Sequence, residues 1–134
     1  MGSPFPVLGK TFYEAMKIQE INDIYATLPQ CGAFLKAIAD DTVHTVFLDG
    51  LLASSASLFF AAVSRRSDMT AVFVLQNNDE AGYFYHDLTQ VLGTDGVLFF
   101  PSSYRRAVKY GQRDAANEIL RTEALSRLSR QEGG

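Results

Sequence analysis

Gly50 and Ser57 stand seven residues apart, in GLLASSAS, after a β-branched apolar run and before an apolar one. That is the outer spacing of a phosphate-binding loop, G-x-x-x-x-G-K-[ST]. In such a loop backbone N–H groups cradle the β/γ-phosphates, a lysine supplies positive charge, and the final hydroxyl reaches Mg²⁺. Here Ser55 stands where the second glycine belongs, and Ala56 stands where the lysine belongs. Serine resists the positive φ that glycine takes freely, at a cost of about 1 kcal/mol or more. One charge-assisted hydrogen bond contributes about 1.5–3 kcal/mol. Loss of the lysine contact alone therefore weakens binding by roughly 10–100-fold. Gly50, Ser54, Ser55, Ala56 and Ser57 are expected to form a vestigial phosphate loop, with a helix N-terminus that retains some pull on an anion. The plainer alternative is a tight strand-to-helix turn and nothing more.

A second group of residues has the chemistry of a charged surface. Tyr104, Arg105, Arg106, Lys109, Tyr110 and Arg113 interleave cations with aromatic rings. Such a stretch suits a nucleic-acid backbone or an acidic partner, or is simply a solvated loop. Residues 1–100 carry 5 basic and 11 acidic side chains, residues 101–134 carry 7 and 4, so the net charge of −3 hides a basic C-terminal segment. Little else has the makings of a site. His44 and His86 have no partner at metal-ligand spacing. Asp40-Asp41 and Asp79-Glu80 read as helix-terminal charges, and Asp49 has no base or nucleophile beside it. Cys31, the single cysteine, reads as a small apolar residue and excludes an intramolecular disulfide.

The elements that would position these residues follow from periodicity. Ile18, Ile21, Tyr25 and Leu28 make one face of a helix over 11–27, stopped by Pro29. A helix over 30–40 would bury Phe34, Leu35 and Ile38. Val43–Asp49, Thr70–Gln76 and Gly96–Phe100 are apolar, β-rich runs and are predicted to be strands. A helix over 54–66, apolar nearly all round, follows the first. A second opens on Asn77 with Glu80 at capping-box spacing, buries Ala81, Phe84, Tyr85, Leu88, Val91 and Leu92, and closes at Gly93. A last helix, capped by Asp114, carries Ala116, Leu120, Ala124 and Leu128. Alternating strands and helices predict a three-layer α/β domain with a mostly parallel sheet and right-handed crossovers. Its ligand edge would hold 50–57, 76–79 and 101–104. Residues 1–42 are expected to pack as N-terminal helices on a 43–134 subdomain.

At 134 residues, with 47% hydrophobic and 20% charged side chains, the chain has the composition of one globular domain. It has no apolar run of membrane-spanning length and no signal-peptide layout, which points to a cytoplasmic protein. The leading MGS is expected to be vector-derived. The closing Gly133-Gly134, directly after a helical pattern, suggests a piece of a longer protein.

Four segments carry a resemblance: FLDGLLASSASLFFAAV, LQNNDEAGYFYHDLTQVLG, VLFFPSSYRRAVKYGQ and ANEILRTEALSRL. Together, over about residues 30–130, they resemble the N-terminal region shared by the repair helicase subunit UvrB and the bacterial transcription-repair coupling factor Mfd. UvrB has an intact phosphate loop at the first segment and Mfd a degenerate one, so Ala56 favours the Mfd side, in the manner of Bacteroides-type sequences. The resemblance implies a degenerate P-loop NTPase-like fold, similar to UvrB domain 1a, with no catalysis and no cofactor of its own. It implies a scaffold for nucleotide-excision repair. The parent protein would be an ATP-driven, DNA-binding, helicase-like translocase that displaces stalled RNA polymerase and recruits UvrA through an adjacent subdomain, mostly absent here. The partners implied are the remaining Mfd domains, UvrA, RNA polymerase and DNA, with no membrane. Two other functions stay open. One is an ATPase that borrows Arg105 or Arg106 for the missing lysine. The other is a nucleic-acid module acting through the basic segment.

Overall fold

A computed structural model describes residues 16–102 and 115–131. Among these described residues five helices occur in this order: α1 (Ile18–Thr27), α2 (Pro29–Ile38), α3 (Ser55–Ser64), α4 (Asn78–Leu92) and α5 (Ala115–Gln131). Leu28 ends α1 and begins α2, and Pro29 sits in the first turn of α2, where its missing N–H has no intrahelical partner to lose. Asn77 caps α4 by accepting the Glu80 N–H at 2.9 Å. Gly93 closes α4 with φ +79°, a backbone conformation that glycine adopts at no steric cost. The expected helix over residues 11–15 and the Asp114 cap fall outside the described residues.

The predicted sheet does not form. Among the described residues there is no strand, and no backbone hydrogen bond joins 43–49, 70–76 and 96–100 to one another. The described residues form a small all-helical fold in place of a three-layer α/β domain with a parallel sheet. The physical reason is that an apolar run signals burial, whereas a strand also needs a neighbour whose N–H and C=O groups complete a ladder. The three runs are used as packing segments instead. Leu48 packs with Cys31, Phe59, Ala62 and Val63, while Phe73 and Val97 pack with Ala61, Leu88 and Val91. Residues one step along, Phe47, Val72 and Val74, are exposed. Burial on both faces, which a parallel sheet requires, is therefore absent as well.

The core is a chain of rings with α3 at its centre. Phe34 of α2 meets Phe59 at 5.7 Å and Phe60 at 6.0 Å between centroids. Phe60 meets Phe73 at 5.0 Å, and Phe73 meets Phe84 of α4 at 5.0 Å. The contacts are edge-on or tilted, as the ring quadrupole favours. Burying a phenylalanine of this kind contributes about 1.5–3 kcal/mol. Ser57, Phe59, Ala61, Ala62 and Val63 are all buried, so α3 is enclosed on more than one side, as its composition leads one to expect.

Helices α1 and α2 share this core and do not form a separate layer. Asn22 is fully buried on α1, where its amide donates to the Leu58 carbonyl at 2.8 Å and its oxygen accepts from Arg65 at 3.0 Å. Arg65 also pairs with Asp23 at 3.0 Å, and Arg66 donates to the Ala26 carbonyl at 2.9 Å. The two arginines at the end of α3 thus tie it to α1, at the helix terminus whose dipole favours cations. Helix α5 is attached differently. Its Arg121 lies 4.7 Å over the Phe100 ring and donates to the Pro101 carbonyl, and Arg127 donates to the Asp95 carbonyl at 2.7 Å.

Candidate functional site

The turn before α3 is the position the sequence singles out. Gly50 has φ +81°, and Ala53, not Ser55, takes the second left-handed conformation at φ +49°. A left-handed alanine costs about 1 kcal/mol or more. Ser54 is the N-cap of α3 and Ser55 its first residue. The expected penalty at position 55 is thus absent, because the chain reverses two residues earlier than a phosphate loop would.

Two N–H groups of the turn, those of Gly50 and Ser55, are occupied. The Gly50 N–H donates to the Asp49 carboxylate at 2.8 Å, and the Ser55 N–H donates to the Leu52 carbonyl at 3.0 Å. The Ser55 hydroxyl donates to that carbonyl too, at 2.6 Å. Ser57 is buried, and its hydroxyl lies 3.0 Å from the Ser54 carbonyl and 3.1 Å from the Asp87 carboxylate of α4. One hydroxyl proton serves these two acceptors. Ser57 therefore works as a strut between α3 and α4, and its environment already contains a carboxylate. Asp49 adds a second negative charge at the mouth of the turn. An incoming phosphate would meet two carboxylates, with no lysine at 56.

Two of the three segments expected at a common edge do come together: the Ser102 N–H donates to the Asn78 side-chain oxygen at 3.4 Å, at the start of α4. The turn at Gly50 is tied to Asp87, well along α4. Tyr104, Arg105, Arg106, Lys109, Tyr110 and Arg113 lie outside the described residues. In the described part of the basic segment, Arg121 and Arg127 are engaged with main-chain carbonyls, Arg127 also with Glu123 at 3.0 Å, and Arg130 donates to the Ser126 hydroxyl at 3.1 Å.

Asp40 belongs to the turn after α2. Its carboxylate accepts the Thr42 hydroxyl at 2.6 Å and the Thr42 N–H at 2.9 Å, and these two bonds hold its carboxyl below the ordinary carboxylate range. This is turn chemistry and not an acid/base pair. Among the described residues no three His, Cys, Asp or Glu side chains converge as metal ligands. No buried side-chain nitrogen or oxygen there lacks a hydrogen-bond partner. A cleft of about 240 Å³ lies between α4, the 94–99 segment and α5, with Tyr85, Phe99, Leu120 and Arg127 on its walls. It is smaller than the roughly 300–1,000 Å³ usual for small-molecule sites. No described helix is long and apolar enough to cross a membrane.

Asn22 is the structural residue that the periodicity conceals. It lies between Ile21 and Tyr25 on the apolar stripe of α1, and a polar residue inside such a stripe is the signal that could have found it. No protein-family model matches the chain, and no curated protein or solved structure matches it either.

Proposed function

We propose that this chain is a non-catalytic scaffold module, in which a turn with the outer spacing of a phosphate loop serves packing. The observation that carries the reading is the Ser57 hydroxyl, buried between the Ser54 carbonyl and the Asp87 carboxylate. Ala56 removes the cation, and Asp49 holds the Gly50 N–H that an anion would need. The four sequence segments favour a place in a transcription-repair coupling factor, presenting neighbouring domains that recruit UvrA to stalled RNA polymerase. The all-helical fold weighs against that family assignment, because the resemblance implies a parallel sheet. The scaffold reading stands on the turn geometry alone.

Calorimetric titration with ATP and Mg²⁺ tests it, on the wild type beside Ser55→Gly/Ala56→Lys. The wild type is expected to be silent at millimolar nucleotide. The double variant gains at most weak binding, since Asp49 and the internal hydrogen bonds of the turn remain. Micromolar binding by the wild type contradicts the proposal, and its loss in Arg105→Ala/Arg106→Ala would identify the borrowed cations.

A further inference from the structure

Helices α1 to α4 pack directly on one another, with α3 against α1, α2 and α4. Helix α5 does not: none of its Cα atoms comes within 8 Å of a Cα in another described helix. Neither of the two apolar clusters among the described residues contains an α5 side chain. The apolar stripe of α5 is only partly used. Ala124 is 4% exposed, but Ile119, Leu125 and Leu128 are 67%, 55% and 41% exposed. The apolar residue that α5 buries most completely is thus an alanine, and apolar burial, which scales with area, gives the helix little hold. Its ties to the 95–101 segment run through two arginines. Arg121 lies 4.7 Å over the Phe100 ring and donates to the Pro101 carbonyl at 3.3 Å, and Arg127 donates to the Asp95 carbonyl at 2.7 Å. That segment reaches the core in its turn, through Val97 against Leu88 and Val91 and through Phe99, 5.4 Å from Tyr85. Helix α5 therefore stands one layer away from the core that the other four helices share.

We infer that α5 is a strap that detaches as one unit from the 95–101 segment while α1–α4 stay folded. Its departure uncovers the Phe100 ring and removes the Leu120, Glu123 and Arg127 wall of the cleft that Tyr85 and Phe99 also line. Elements with few buried apolar contacts open at lower cost than the core, in contiguous units. The chemistry of the ties suits such a release. Arg127 is already 41% exposed, and water takes over the arginine and carbonyl groups when the bonds part. The α1–α3 seam is built the other way: Arg65 bonds the fully buried Asn22, so parting that pair strands a polar group in the core. Within α5, Glu123 pairs with Arg127 one turn on at 3.0 Å, and Ala, Leu, Glu and Arg fill most of its length, so it docks and leaves as one helix. The inference is independent of the scaffold reading, which rests on the turn before α3.

Hydrogen exchange of the full chain across a series of sub-denaturing urea concentrations tests it. A released helix of this length is marginal in water, so detachment exposes its amides. The α5 amides are expected to open at least about 100-fold more often than those of Ala61–Val63, and with a weaker dependence on urea, since less surface is exposed. Arg121→Gln/Arg127→Gln is expected to raise α5 opening roughly ten-fold further and to leave Ala61–Val63 unchanged. Arg130→Gln serves as control: it removes an arginine bonded to Ser126 within α5 itself, and is expected to change α5 opening by no more than about two-fold. Equal opening and equal urea dependence for α5 and α3 would make them one cooperative unit and overturn the inference. So would wild-type α5 amides that exchange at the unprotected rate, a double variant that leaves α5 protection as it was, or one that exposes α3 as much as α5.

Discussion

The side of the molecule built from α1, α2 and α3 and the side built from the 43–49, 70–76 and 96–100 segments draw on the same residue types with opposite results. Around α3, Phe59, Ala62 and Val63 are enclosed and the polar groups at the seam, Asn22 and Arg65, are bonded. On the other side Phe47, Val72 and Val74 stand in solvent. The difference lies in the backbone. A helix satisfies its own N–H and C=O groups and needs neighbours only for its apolar face. An extended segment depends on others for both, and here it receives only the packing of its inward residues. Stability is therefore concentrated around α3.

Substitutions at the centre of the enclosed side should have the largest effects. Phe59→Ala removes the ring that touches both Phe34 and Phe60, and is expected to destabilise the fold by about 3–5 kcal/mol in urea titration. Asn22→Ala leaves Arg65 without one of its partners at the α1–α3 seam and is expected to cost about 1–3 kcal/mol by the same measurement. The contrast sharpens on the other side, where Val74→Lys should change stability by no more than about 0.5 kcal/mol. A loss at Val74 comparable to that at Phe59 would break the comparison.

The helices were legible because their signals are local. Asn77 and Gly93 mark the two ends of α4, and the stripe from Ala81 to Leu92 contains the buried Leu88 and Val91. Pro29 marks the joint between α1 and α2, though it opens the second helix as well as closing the first. The strands were misread because TAVFVLQ says only that Phe73 has somewhere apolar to go. Whether its backbone finds a partner depends on residues far away in sequence. The turn at Gly50 was legible in its missing chemistry and not in its path, since Ala53 adopts the left-handed conformation that the loop pattern places at Ser55. The role of Ser57 could not be read either, because Asp87 lies thirty residues further along.

Hydrogen exchange of the backbone amides, at low micromolar protein, tests most directly the claim that stability resides in the helices while the apolar segments carry no ladder. Amides of Ala61–Val63 and Leu88–Val91 are expected to exchange several orders of magnitude more slowly than an unprotected chain, and those of 71–75 at close to the unprotected rate. Protection over 71–75 equal to that of α3 would contradict the account, since it requires a hydrogen-bonded partner that this fold does not supply.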